Sequence, residues 1–279
     1  MKTSILSLGA LSCVALLMTS VANAQEPAAP AKQAPAVKLP DFSVFADFAS
    51  RKISRGVLSN QDPIETYGFT AKWYGINFKM DWLFDLTDER GQKNECNELD
   101  YFIGYEYTFK PEEWNVPTAI KLYSDWNYEG HPGKAFKNFM HNSVSLPKVF
   151  LAPTLDSEFE FRKSLWYIKL TGKHSWTLVD AREEKGAPIL ALTLSLTQGV
   201  GNAQRNKEDL KEDLWALRET TLKAKFDWKP VDHLTISPYI AYSDTFSGTV
   251  RDAARNYKYD DKKHTVAQLY GGVVLTASF

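Results

Sequence analysis

Cysteine is scarce: the 279 residues hold 2, Cys13 and Cys96. If Cys13 leaves with an N-terminal signal, the thiol that remains cannot close an intrachain disulfide. Cys96 follows the polar stretch Gly91-Gln92-Lys93-Asn94-Glu95 and reads as an exposed loop thiol without a role. An excess of one charge sign is missing too. Lys and Arg number 33 against 34 Asp and Glu, which leaves no basic footprint for nucleic acid. Beyond the first two dozen residues, no run reaches the roughly 18 apolar residues that a membrane-spanning helix needs. No stretch sustains a 3.6-residue period. The best helical candidate, 206–217, reads instead as a charged loop running into a strand. There is no Walker or dinucleotide fingerprint. No His/Cys/carboxylate spacing suits zinc or an EF-hand, so neither a metal nor a cofactor is expected.

The start of the chain has the pattern of a secretory signal over residues 1–24. Lys2 supplies the charged region, residues 5–18 the apolar region, and Ala22-Asn23-Ala24 an A-x-A cleavage site. Cleavage would leave Gln25 as the mature N-terminus. Residues 25–40, QEPAAPAKQAPAVKLP, are rich in Ala and Pro and form an expected periplasmic tether, flexible or polyproline-like. Everything from Asp41 to Phe279 is expected to be one domain.

What fills that domain is alternation. Ile76, Phe78, Met80, Trp82, Phe84 and Leu86 make one face, against Asn77, Lys79, Asp81, Leu83 and Asp85. Leu190, Leu192, Leu194 and Leu196 stand against Thr193, Ser195 and Thr197. A period of two means a strand with unlike faces. A soluble sandwich alternates as well, so length must decide. These runs exceed the ~5–6 residues usual for strands of soluble domains. They match the ~9–11 that a tilted membrane strand needs. Twelve such runs are predicted: 41–56, 65–74, 75–87, 97–110, 116–129, 136–146, 149–161, 164–178, 188–199, 213–229, 232–246 and 264–279. The fold class is therefore all-β, a transmembrane antiparallel up-and-down barrel of about twelve strands. An even number brings both ends of the barrel to the periplasmic side. Short connections at Tyr74-Gly75, 110–115, Pro147-Lys148 and 229–231 alternate with longer polar ones, as periplasmic turns alternate with external loops.

The 8 Trp, 13 Tyr and 16 Phe also have places. Trp82, Trp126, Tyr128, Phe159, Phe161, Trp166 and Tyr242 are predicted to form an outer interfacial girdle. Phe42, Trp73, Phe78, Phe109, Trp176, Phe226, Trp228 and Phe279 would form an inner one. The final run sets Val273, Leu275, Ala277 and Phe279 on one face and ends in an aromatic. This ending resembles the C-terminal signal of bacterial outer-membrane barrel proteins. The resemblance implies insertion by the barrel-assembly machinery and residence in the outer membrane of a Gram-negative-type bacterium. Ser54-Arg55-Gly56 and Pro63, within residues 43–69, are similar to the opening of TorF-type porin-like barrels. The aromatic that precedes Arg in that group is absent here.

If the apolar face meets lipid, the polar face lines a lumen. That places Asp47, Arg51, Arg55, Lys79, Asp81, Asp156, Glu158, Glu160, Lys169, Lys173, Lys223 and Lys225 inside as candidate selectivity residues. Asp156, Glu158 and Glu160 lie on one side of one strand. They form either a cation site or, by proximity, partners of Lys169 and Lys173. Catalysis is not expected. His174 and Ser175 face opposite ways, and His141 and Ser143 share a face but lie in 136–146, the least regular of the twelve runs, with no acid following at matching spacing. The expected function is a porin-like channel for passive diffusion of small hydrophilic solutes. A non-conducting barrel, acting as an envelope scaffold or binding a partner, is the alternative. Contacts are expected with outer-membrane lipid and, through the mixed-charge external loops, with lipopolysaccharide.

Overall fold

A flat sheet of two-faced strands would leave two unpaired edges. In the computed structural model of this chain, closure removes both. Twelve strands pair in one closed antiparallel barrel. The structure describes residues 39–87, 96–114, 118–130, 137–181, 187–245, 247–256, 258–259, 262–263 and 267–279. The expected signal peptide, most of the tether, the loops 88–95 and 131–136, His131 and His264 lie outside the described residues.

The barrel strands are β1 (Asp41–Ala49), β4 (Ile64–Trp73), β5 (Ile76–Asp85), β6 (Cys96–Phe109), β7 (Ile120–Gly130), β8 (Lys137–Ser145), β9 (Thr154–Glu160), β10 (Leu165–Val179), β11 (Leu190–Gly201), β12 (Ala216–Val231), β13 (Leu234–Asp244) and β16 (Gln268–Ser278). Each pairs with its sequence neighbour in the barrel, and β1 pairs with both β4 and β16. Reciprocal backbone bonds seal the seam: Phe279 N donates to Phe42 O at 2.8 Å and Phe42 N to Phe279 O at 3.2 Å. β1 begins and β16 ends at the same rim, called here the terminal rim; the opposite one is the far rim.

All twelve expected runs are strands, but several details of the sequence reading need correction. The first run does not continue to 56. β1 stops at Ala49, and residues 52–60 form a separate hairpin of β2 (Lys52–Ser54) and β3 (Val57–Asn60). The connection at Pro147-Lys148 is a wider turn, with Leu146 N donating to Pro153 O at 3.0 Å, so β9 starts later than expected. The region 206–217 is not all loop. Helix α1 (Pro111–Trp114) is a single turn, whereas α2 (Ala203–Leu210) is a capped helix. Asn202 Oδ1 accepts from Arg205 N at 2.9 Å, and Lys211 ends the helix in the left-handed region with φ 66. The polar loop after β13 likewise holds a helix, α3 (Gly248–Asn256). It also carries a short pair, β14 (Lys258–Tyr259) with β15 (Lys262–Lys263). Cys96 is the first residue of β6, half-buried, with Sγ 3.4 Å from Glu98 O; it is not an exposed loop thiol.

Cross-strand partners share a face, so the register sorts inside from outside. Ser175, Thr193, Lys225 and Tyr239 form one inward row. Leu196, Leu222, Tyr242 and Leu269 form an outward one. Those four are 47, 54, 41 and 62 % exposed, a contiguous apolar band that water does not tolerate and hydrocarbon does. Rings gather toward its two ends. Trp126 stacks on Phe161 at 5.1 Å, and Phe159 meets Trp166 at 4.5 Å. At the terminal rim Phe42 faces Phe279 at 6.5 Å. No helix among the described residues is long and apolar enough to cross a membrane. That says nothing against crossing by strands.

Candidate functional site

The lumen is shaped by what folds into it. Arg55 and Gly56 sit at the hairpin tip with φ 51 and 74, the left-handed pair of a type I′ turn. A Cβ at Gly56 would collide with the backbone of Arg218, so only glycine lets the tip seat against β12. The hairpin leaves the barrel between β1 and β4, and Arg55 reaches Glu129 on β7 and Glu158 on β9. In the circular strand order β9 lies opposite β1, so the hairpin spans the whole lumen. Val57 packs on a small core of Leu210, Ala216, Val250 and Ala253. Hairpin, α2 and α3 therefore meet in one plug toward the far rim.

Ionic contacts hold the plug to the wall. Arg55 Nε donates to Glu158 Oε1 at 2.6 Å, and its NH2 to Glu129 Oε2 at 3.0 Å. Arg205 on α2 donates to the same Glu158 Oε1 at 2.6 Å. Both guanidiniums lie over the ring of buried Phe139, at 5.0 and 5.5 Å. Charge-assisted bonds of this kind contribute about 1.5–3 kcal/mol each. Burial alone would weaken the Arg55 charge, but Glu158 and Glu129 outweigh it and hold its pKa above the usual value. At Arg205, burial and the neighbouring Arg55 lower the pKa against the pull of Glu158. Lys52 donates to Glu98 at 2.5 Å, and Asn60 bonds Asp85. Behind α2, fully buried Arg218 pairs with Asp209 at 2.8 Å. Tyr167 donates to Glu219 across Gly199, where a side chain would strike the phenol.

Toward the terminal rim the lumen opens into a cavity of about 450 Å³. Lys72, Lys79, Glu106, Lys121, Tyr123 and Lys173 line it, with Ser143, Ser145 and Thr154 among its hydroxyl groups.

Of the residues expected in the lumen, Asp47 lies 3.5 Å from Tyr239 Oη, and Lys223 sits over the same ring at 3.8 Å. Lys79 pairs with Asp81 at 2.5 Å and lies over Phe45 and Phe102. Lys225 pairs with Asp227 at 3.0 Å. Arg51 and Arg55 are not on β1 as expected, because the chain leaves the barrel at Ala49. Arg51 donates to Gln268, and Arg55 crosses the lumen. Asp156, Glu158 and Glu160 do not act as a trio. Asp156 is 3.9 Å from Lys169, and Glu158 is taken by the two arginines. Glu160 accepts from the backbone of Arg162 and Lys163 in the β9–β10 turn. Lys173 takes no part in this pairing. The sequence reading missed Lys52, Glu98, Glu129, Arg205 and Arg218. Glu129 was readable by parity, but Lys52 and Arg205 come from the hairpin and α2, outside the barrel strands, and Arg218 sits where a register shift in β12 breaks the period. It also missed that acids reach His141 from neighbouring strands. Nδ1 is 3.1 Å from Asp125 and Nε2 3.3 Å from Glu158, so neither nitrogen is aimed at Ser143. Among the described residues, no His/Cys/carboxylate group is placed to hold a metal ion.

No family model and no curated protein matches this chain. The similarity to TorF-type barrels therefore stays a resemblance. Solved structures do resemble the fold. A KdgM porin in complex with disordered oligogalacturonate is 9% identical, with 86% of this chain and 99% of that one covered at a TM-score of 0.46. The NanC porin is 9% identical, with 85% and 100% covered at 0.48. An outer membrane channel from Pseudomonas putida F1 is 8% identical, with 91% and 100% covered at 0.44.

Proposed function

We propose that the chain is an outer-membrane channel for passive diffusion of small hydrophilic solutes, narrowed by the Lys52–Asn60 hairpin. One observation carries the reading: a charge-lined cavity of about 450 Å³ lies inside a barrel whose outer face is apolar. An ammonium group without a partner costs several kcal/mol in a dry interior, and Lys173, which has no ionic partner among the described residues, supports a wet wall. The terminal rim is assigned to the periplasm and the plugged rim to the exterior, where α2 and α3 would meet lipopolysaccharide. The strand ending in Phe279 is the proposed handle for the assembly machinery.

A specific observation favours the second reading, a closed barrel with a scaffold or binding role. Phe139, Arg218, Val250, Asn206 and Thr245 are fully buried around the plug. Recording from purified, refolded protein in planar bilayers separates the two. The channel gives steady unitary steps that grow when residues 52–60 are replaced by a short Gly/Ser link. Silence from both proteins at high load rejects conduction.

A further inference from the structure

The cavity near the terminal rim carries charge that its own ion pairs do not cancel. Four lysines and one carboxylate line it. That carboxylate, Glu106, is shared, 2.7 Å from Lys121 Nζ and 3.5 Å from Lys72 Nζ. One negative charge thus faces two positive ones. Lys79 is neutralised by Asp81. Lys173, on β10, is exposed to the cavity and has no ionic partner among the described residues. Two positive charges are left over around this half-open space in the lumen. In a lumen walled by protein, such a surplus concentrates anions.

The rest of the wall narrows the class of anion. Tyr123 and the serine and threonine hydroxyls of the wall offer both donors and acceptors, which suits a polyol. The volume of about 450 Å³ falls in the range that encloses a ligand of modest size. The cations are lysines, compact charges without the bidentate fork of arginine. They attract a phosphoryl or carboxylate dianion without locking it, which suits a solute in transit.

We propose that this cavity is a binding site for small polyhydroxylated dianions, with sugar monophosphates as the chemical class, and that it makes the lumen anion-selective. The selectivity, though not the binding, rests on the channel reading above. Lys173 and the Lys72–Glu106–Lys121 cluster hold the anionic group, and the hydroxyl wall holds the polyol.

Calorimetric titration of the refolded full-length protein in neutral detergent at low salt tests the site without requiring conduction. Glucose 6-phosphate is expected to bind saturably and glucose not at all. Lys173→Gln should weaken binding about tenfold and Lys173→Arg should restore most of it, with the barrel's far-ultraviolet dichroism unchanged in both. Absence of saturable binding, or wild-type affinity in Lys173→Gln, overturns the site. Equal affinity for inorganic phosphate overturns the polyol half of the assignment. In a potassium chloride gradient, a conducting protein should show chloride preference that falls in Lys173→Glu. Potassium preference in a conducting protein overturns the inference and leaves the channel standing. Saturable binding by a silent protein does the reverse.

Discussion

Glu158 is the residue on which the plug turns. Two guanidiniums share its Oε1, and His141 stands at its other oxygen. Its side chain is only 13% exposed, so the charge depends on these partners rather than on water. Replacing Arg55 leaves Glu129 without its guanidinium and halves the arginine support of Glu158. Arg55→Gln is therefore expected to lower stability to urea by about 1–3 kcal/mol. The same change should raise unitary conductance as the hairpin tip loosens. A variant of unchanged conductance and stability would show that these bonds do not hold the hairpin. The sequence made Glu158 legible as an inward residue through parity alone. It could not show Arg55 or Arg205 as partners, because both come from segments without a period of two.

Among the elements, α2 joins the plug to the wall. Asn202 caps it and also ties it to the neighbouring hairpin, accepting from Trp166 N at 3.0 Å and donating to Ser164 O at 2.9 Å. Asn202→Ala removes the cap and should cost about 1 kcal/mol, seen as faster amide exchange confined to α2 and the β9–β10 turn. A second tie is exposed: Lys163 Nζ donates to Glu208 at 2.5 Å. That bond lowers the Glu208 pKa below its ordinary 4.5. A depressed carboxylate pKa stabilises the folded state above the ordinary value and loses that contribution as pH falls through the folded one. Exchange in α2 should therefore rise below about pH 4.5, and less so in Glu208→Gln. The strands were legible in sequence because an apolar outer face and a polar inner face impose a period of two. β8 was the least regular of them in sequence, yet it is continuous, held by β7 and β9 on either side. The hairpin and α2 were not legible. Their direction is set by partners distant in the chain, such as Arg218 and Glu158, and not by local patterning.

For the molecule as a whole, the decisive property is which face meets hydrocarbon. Leu196 and Ser195 are adjacent on β11 and point opposite ways. Leu196→Arg should cost about 2–4 kcal/mol in lipid, as charge on a lipid face does, while Ser195→Arg should fold normally. Refolding yield into vesicles compares the two. The most direct measurement is thiol labelling along this strand in a Cys96→Ser background, with the protein in lipid vesicles and a charged, water-soluble reagent. Thr193→Cys and Ser195→Cys are expected to react, and Leu194→Cys and Leu196→Cys to stay unlabelled. Labelling at the leucine positions, or at none of the four, would contradict an apolar exterior around a water-filled lumen.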